Sequence, residues 1–287
     1  MTFGSGGGLD RRGSRPPVFS VGMRLTVLGK SPSWQDAGGA CSGYLLQEGD
    51  TSVLLDCGNG VFGKLRRLVD YVDVDAVVLS HLHADHFLDL VPFSYALTYS
   101  PRRQQAAGEG PPGTGAGAAR PRLIAPPGAQ EVLRRVVGAW GNEDLVEKAF
   151  ELEEYTADSV IEVGPLRISF GQVPHFIDAY AVSVQRSSGA ARLVFGADSR
   201  PDASLVRFAH GADLFLVEAT LSRPETDGVR GHMTAEEAGR QAREAGAKRV
   251  VITHISDELD IDDARRRASE AFGAPVAVAA EDATYEI

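Results

Sequence analysis

The stretch that decides the fold is DAVVLSHLHADH, residues 75–86, in which an apolar run passes directly into a cluster of histidines. The apolar half is short and rich in valine, which is typical of a buried strand. Where a chain leaves a strand, positions i and i+2 can point the same way, so His81 and His83 can converge on one metal ion. Asp85 and His86 then begin the next predicted helix, where they can face a neighbouring ion.

Three histidines and an aspartate within six residues are hard to explain by structure alone. A solvated turn does not need them, and a core does not tolerate them unpaired. Imidazole and carboxylate ligands suit zinc, with manganese and iron as alternatives. The segment therefore predicts a metal centre.

Outward from this segment, strand patterns alternate with helical patterns in both halves of the chain. Gly49 and Asp50 form a predicted hairpin turn, and Pro92 is expected to kink or break the helix that follows His86. Strands are predicted over residues 23–29, 42–48, 51–56, 75–80, 122–126, 166–173, 180–186, 191–197, 213–219, 249–255 and 274–279, and helices over 61–72, 85–99, 128–139, 234–246 and 261–271.

Strands followed by helices, twice over, indicate the α/β class, as an αββα sandwich of two mixed β-sheets packed face to face with helices on both outer faces. Neither half could bury both faces of its sheet alone, so we predict one domain over residues 23–287. Residues 1–22 lack periodicity and predict a disordered leader, and the Gly- and Pro-rich residues 101–121 predict a flexible surface loop. The acidic residues 143–162 indicate a solvated face, with a partner site as the alternative.

Composition narrows the classes of protein. The chain has 287 residues, 43% hydrophobic and 24% charged, as expected of a globular protein with a sizeable core. It has no run of ~18 apolar residues that could span a membrane, and no apolar segment typical of a secretory signal. Two cysteines, Cys41 and Cys57, are too few for a disulfide scaffold and favour a reducing cytoplasm.

The formal net charge is −10, from 29 basic and 39 acidic residues. Duplex and tRNA ligands are polyanions whose binding relies on Lys and Arg. The charge therefore makes a nucleic-acid partner less expected, although a local basic patch could suffice.

The sequence SHLHADH after a buried strand resembles the HxHxDH signature of the metallo-β-lactamase-fold hydrolases. The resemblance covers nearly the whole folded chain, since VLG…SGYLL…LLDCGNG is similar to the family's first hairpin, with Asp56 in its place after the third strand. Taken alone, His175 and His254 would more often be structural histidines, and Asp198 a turn residue. The resemblance implies instead that metal one is bound by His81, His83 and His175, metal two by Asp85, His86 and His254, that Asp198 bridges them, and that Asp56 supports the ligands.

Two divalent ions, expected to be zinc, can share a bridging hydroxide aimed at phosphorus. By the same resemblance, Asp85 would orient that nucleophile or accept its proton. The implied reaction is hydrolysis.

His232 separates the branches of the family. It lies in GHMTAEEAGRQA, which resembles the H-x-T element of the ribonuclease Z-type zinc phosphodiesterases. The resemblance implies that His232 contacts the scissile phosphate and can protonate the leaving oxygen, with Glu218 of VEAT orienting it. The alternative is a histidine that only marks the entry to a helix.

Two departures count against a tRNA-processing enzyme. Only 22 residues separate His175 from Asp198, too few for the protruding arm of ribonuclease Z, and the chain is acidic. The chain resembles more closely the armless bacterial relatives, which include small-molecule cyclic phosphodiesterases and cyclic-nucleotide phosphodiesterases. Resemblance to related phosphodiesterases is also the sole basis for expecting a homodimer. The leading hypothesis is therefore hydrolysis of a small anionic cyclic phosphodiester such as cAMP. The alternatives are a tRNA 3′-end endoribonuclease and a metal-binding protein with a degenerate site.

Overall fold

The computed structural model describes residues 22–101, 120–189 and 191–287, in which the strands form two sheets of seven. The first sheet contains β1 (Arg24–Gly29), β2 (Gly43–Glu48), β3 (Thr51–Leu55), β4 (Ala76–Val78), β5 (Arg122–Ala125), β6 (Glu151–Glu154) and β14 (Thr284–Glu286). The second contains β7 (Val160–Val163), β8 (Leu166–Val173), β9 (Ala179–Arg186), β10 (Arg192–Phe195), β11 (Leu214–Glu218), β12 (Val250–Thr253) and β13 (Ala277–Val278).

Both sheets are mixed. In the first, with strand order β14-β1-β2-β3-β4-β5-β6, the pairings are antiparallel from β14 to β3 and parallel from β3 to β6. The second sheet has the order β13-β12-β11-β10-β9-β8-β7 and is antiparallel from β7 to β10 and parallel from there to β13. The parallel strands of each sheet thus end at the same edge, which is the edge that carries the predicted metal ligands.

Helices cover the outer face of each sheet. Over the first sheet lie α1 (Val61–Leu68), α3 (Leu90–Tyr99), α4 (Ala129–Gly138) and α5 (Leu145–Ala149), with the one-turn α2 (Ala84–Phe87) beside them. Over the second lie α6 (Ala203–Phe208), α7 (Ala235–Glu244) and α8 (Ile261–Phe272). A third apolar cluster fills the space between the sheets and draws side chains from both. The αββα sandwich of two mixed sheets is confirmed.

Strand β3 shows how the sequence sorts its side chains. It is apolar on both faces, as a strand covered on both sides must be. Val53 and Leu55 point into the cluster between the sheets, whereas Leu54 points into the cluster under the helices.

The entry to α7 is fixed by its first residues. Thr234 caps the helix, and its side chain and that of Glu237 form a reciprocal capping box. Further along, α7 packs so closely on α8 that a Cβ at Gly239 would lie 2.2 Å from the carbonyl oxygen of Ala268. The cap therefore sets where the chain from His232 joins the helix.

Two predicted helices have different bounds in the structure. The first ends at Leu68 rather than residue 72, because β-branched Val69 is extended and a 3₁₀ turn capped by Asp70 follows. The second breaks before Leu90 and not at Pro92. Pro92 lies in the first turn of α3, where its missing N–H leaves no hydrogen bond broken.

Other expectations fall differently. The acidic residues 143–162 hold α5, β6 and most of β7, and both strands lie at sheet edges. The side chains of β6 are mostly charged and partly or fully exposed, whereas β7 is mostly apolar and ends at the buried Val163. The predicted leader lies outside the described residues apart from Gly22, and so do residues 102–119 of the predicted loop. None of the helices in the described ranges is long and apolar enough to cross a membrane.

Candidate metal centre

The predicted ligands lie where strands of both sheets end. His81 follows β4 of the first sheet, and His175, Asp198 and His254 follow β8, β10 and β12 of the second. An isolated antiparallel bridge between His81 and Ala179 joins the two sheets at this point. Residues up to 173 positions apart in the sequence are thereby brought into one site.

Within the described residues, one candidate metal group consists of His81, His83 and His175. Nδ1 of His83 lies 3.1 Å from Nε2 of His81 and 3.0 Å from Nε2 of His175. His175 donates its other ring proton, on Nδ1, to the carbonyl oxygen of Gly231 at 2.8 Å. Three ring nitrogens thus face one point, and the second ring nitrogen of His175 is already hydrogen-bonded. This is the arrangement expected of three imidazole ligands to one ion.

A second candidate group consists of Asp85, His86, Asp198 and His254, all buried. Oδ2 of Asp198 lies 3.2 Å from Nε2 of His86 and 3.1 Å from Nε2 of His254. The same oxygen lies 3.8 Å from Nε2 of His81 in the first group. Asp198 is therefore placed between the two groups, as a bridging carboxylate would be.

Two buried nitrogen atoms test whether these residues fit metal ions. Nε2 of His86 and Nε2 of His254 make no hydrogen bond of good geometry, even to the nearby Oδ2 of Asp198, although buried nitrogen atoms are nearly always satisfied in proteins. Their Nδ1 atoms are occupied: His86 donates to Asp56 at 2.7 Å, and His254 lies 3.0 Å from Oγ of Ser42. An ion between them would use the unpartnered lone pairs, so the residues fit a metal.

Asp56 supports both groups from behind. It is fully buried and accepts hydrogen bonds from the backbone N–H and the hydroxyl of Ser80, at 2.7 and 2.8 Å, as well as from His86. The hydroxyl of Ser80 also lies 3.1 Å from Nδ1 of His81. Asp56 has the left-handed backbone angle φ 57°, a strained conformation for a non-glycine residue that concentrates at functional sites. One carboxylate therefore orients an imidazole of each group.

His232 lies beside the two groups and is held by Glu218. Its Nδ1 donates to Glu218 at 2.9 Å, and its ring centre lies 5.0 Å from that of His175 and 5.7 Å from that of His254. Glu218 is buried and also accepts from the N–H groups of Ser199, Thr220 and Met233 and from the hydroxyl of Thr220. His232 is thus oriented with Nε2 available to a substrate. His175, Asp198 and His232 form a third group close enough to hold a metal, which is the competing assignment.

Burial sets the charge of most of these imidazoles. It lowers the pKa of His81 well below its ordinary value, and it also lowers the pKa of His83, His175 and His254. A metal ligand must be a neutral imidazole. These four residues are in that state at neutral pH.

Carboxylates reverse this effect at two positions. At His86, Asp198 and Asp56 outweigh burial and raise the pKa well above its ordinary value, which shows that this point of the site favours positive charge. At His232, burial is outweighed by the hydrogen bond and charge of Glu218, which raise the pKa to about 9. Burial alone would raise the pKa of Asp198, but His254 and His86 hold it well below its usual range. A divalent cation between these carboxylates would supply the positive charge that they favour.

The structure brings all seven predicted ligands together, with Asp56 and Glu218 behind them, whereas His210 lies in an exposed turn after α6. Sequence analysis missed Ser42, Thr220 and Gly231. The partners of Ser42 and Gly231 are distant in sequence, so no local pattern marks these two residues, whereas Thr220 binds Glu218 two positions away. The positions of Thr220 in VEAT, of Gly231 next to His232 and of Ser42 beside the first hairpin are the signals that could have drawn attention to them.

Comparison with known proteins gives consistent matches. A family model for the β-lactamase superfamily domain matches residues 51–255. The chain is 30% identical to the probable metallo-hydrolase YhfI of Bacillus subtilis, over 92% of this chain and 100% of YhfI. The crystal structure of YhfI, 29% identical, matches with a TM-score of 0.79 over 93% of this chain and 100% of that one. Ribonuclease Z of Myxococcus xanthus is 31% identical, over 92% of this chain and 98% of that enzyme.

Proposed function

Because the chain belongs to the β-lactamase superfamily and is a metal-dependent hydrolase, we propose that it is a dinuclear-metal phosphodiesterase that hydrolyses a small cyclic phosphodiester, with a cyclic nucleotide such as cAMP as the substrate. The observation that carries the proposal is the pair formed by His232 and Glu218. Hydrolysis of a phosphodiester expels an alkoxide that needs a proton, and a positioned imidazole can supply it.

The residues of the two groups would hold two divalent ions, expected to be zinc with manganese or iron as alternatives. When bound, such ions polarise a phosphoryl oxygen and activate water at neutral pH. His81, His83 and His175 would hold the first ion, and Asp85, His86 and His254 the second, with Asp198 shared. Asp56 would hold the ring of His86 directly, and the ring of His81 through the hydroxyl of Ser80.

Asp85 and His232 would move the two protons of the reaction, one from the attacking water and one to the leaving oxygen. The carboxylate of Asp85 lies 3.5 Å from Nε2 of His86 and 3.8 Å from Nε2 of His254, at the edge of the second group. From there it can orient the attacking water and accept its proton. His232 would donate the proton on Nε2 to the leaving oxygen, and Glu218, bonded to Nδ1, stabilises its charged form.

Three observations support a small substrate. The 22 residues between His175 and Asp198 consist of β9, β10, their connection and the short segments 176–178 and 196–197. Only residue 190 among them is not described, and both strands lie within the second sheet. The alignment with ribonuclease Z runs over 317 positions, so that enzyme carries residues with no counterpart in this 287-residue chain. The net charge of −10 also favours a compact anion over a long RNA.

The second candidate is a tRNA 3′-end endoribonuclease. It is favoured by the 31% identity to a ribonuclease Z over 98% of that enzyme's length. The two candidates share one chemistry and differ in the size of the substrate.

Side-by-side turnover of cAMP and a 3′-extended precursor tRNA by the metal-loaded protein separates the candidates. We expect cAMP to be opened to AMP and the precursor to be cut slowly or not at all. Efficient cleavage of the precursor with inert cAMP would replace the leading proposal by the second. The cytoplasmic location and the homodimer stay predictions.

A further inference from the structure

One large apolar side chain at the site has no role in the fold or in the chemistry above. Phe176 follows His175 directly, and 48% of its surface is exposed. It belongs to none of the three apolar clusters formed by the described residues. Its ring centre lies 5.0 Å from that of His175 and 5.8 Å from that of His232. An exposed aromatic ring therefore stands next to the candidate general acid.

The backbone at Gly231 holds this ring in place. A Cβ at Gly231 would lie 2.3 Å from one carbon of the Phe176 ring and 2.6 Å from two others, so the ring rests directly on the glycine. The carbonyl oxygen of the same glycine accepts the proton of His175 Nδ1. Any side chain at residue 231 would displace the ring. Phe176 is thus a positioned surface fixed to the same backbone that orients His175.

The position of the Phe176 ring determines which part of a bound substrate can contact it. A phosphodiester that reaches His175 and His232 brings its substituents within reach of a ring only 5–6 Å away from both. Ile177, the next residue in the chain, is also apolar and 39% exposed. Aromatic side chains stack on nucleobases, and this contact is worth a sizeable factor in affinity without requiring a particular base. A sugar phosphate without a base would leave the ring exposed.

We propose that Phe176 is a specificity-determining residue that stacks against the base of a nucleotide substrate, so that the site prefers nucleoside phosphates to phosphate esters without a base. The inference rests on the proposed function, since it assumes that a phosphate ester binds at this site. It deepens that function by naming the nucleoside part of the substrate as what is recognised. Recognition would be tolerant of base identity because every base offers an aromatic face.

The test measures the affinity of the metal-loaded protein for AMP and for ribose 5-phosphate by titration calorimetry. We expect the wild type to prefer AMP by about 5- to 150-fold, the range that corresponds to ~1–3 kcal/mol for one stacked base. Phe176→Ala should lose this preference, and Phe176→Trp should keep it. Trp140→Ala, which removes another half-exposed aromatic side chain, from the end of α4, is the matched control and should change nothing.

Equal affinity of the wild type for the two ligands would overturn the inference, and so would a preference that survives in Phe176→Ala. Steady-state kinetics with cAMP then separates the inference from the proposed function. A higher KM with retained kcat in Phe176→Ala supports both. Hydrolysis of cAMP with an unchanged KM would refute the stacking and leave the phosphodiesterase intact. A lost AMP preference in a protein that does not hydrolyse cAMP would support the stacking and refute the substrate.

Discussion

Replacing His232 by alanine tests whether this residue is an acid or a metal ligand. Five donors bind Glu218, and the substitution removes one, so the carboxylate keeps four partners. We therefore expect only about 0.5–1.5 kcal/mol less free energy of unfolding. Turnover should fall by ~10²–10⁴-fold, the usual effect of removing a positioned acid. Both metals should stay bound, since neither predicted ligand set includes His232.

The assay combines metal analysis after dialysis with turnover of two phosphodiesters that differ in leaving group. An acid matters most for a poor leaving group, so the variant should lose much more activity with an alkyl leaving group than with p-nitrophenolate. His210→Ala is the matched histidine control, because His210 lies in an exposed turn away from the site, and it should retain metals and turnover.

Two results would refute the reasoning. Loss of one metal from His232→Ala would show that His175, Asp198 and His232 form a true ligand set, as their closeness allows. An equal loss of rate with both leaving groups would show that His232 positions the substrate and does not protonate it.

Three further predictions concern the ligands, their support and the fold. Asp198→Ala should lose metal and activity together, because its carboxylate lies between both groups; activity retained at normal metal content would contradict the bridging role. Asp56→Asn puts an amide N–H₂ where three donors converge, so it should weaken metal binding by about 10- to 100-fold, and added metal should partly restore activity. Unchanged metal affinity would show that Asp56 does not support the ligands. Gly239→Ala should lower the melting temperature despite its gain in helix propensity, because its Cβ would meet the Ala268 carbonyl. The control Gly63→Ala in α1 meets nothing within 4 Å and should stabilise the protein by ~0.5–1 kcal/mol, so equal shifts in thermal unfolding would exclude the close contact.

The candidate ligands could be predicted from sequence because each follows a strand or lies in the short helix directly after one. The exit from a strand fixes the direction of neighbouring side chains, so the segment SHLHADH alone predicts which of its side chains converge. The resemblance to the family supplied the remaining ligands. The αββα class followed from the alternation of elements in the same way. Both predictions used local patterns that the fold preserves.

The features that could not be predicted depend on contacts between distant residues or on short elements without a clear pattern. Ser42 binds His254 across 212 positions, and Gly231 holds His175 across 56. The edge strand β6 is acidic and has no fully buried residue, and β7 has only four residues of which one is buried, so neither shows the long apolar alternation that marks a strand. The break predicted at Pro92 was wrong because a proline fits the first turn of a helix but breaks the interior, and the sequence pattern does not show where the helix begins.

Each of the two candidate groups takes ligands from both layers of the sandwich. His81 and His83 follow a strand of the first sheet and His175 a strand of the second, and Asp198 and His254 face Asp85 and His86 across the same divide. The ions would therefore act as cross-links, and the unfolded chain would offer no comparable site. By mass action, each tenfold excess of free metal over its dissociation constant then adds about 1.4 kcal/mol per ion to the free energy of unfolding. The melting temperature of this protein would thus rise with the concentration of free metal around it.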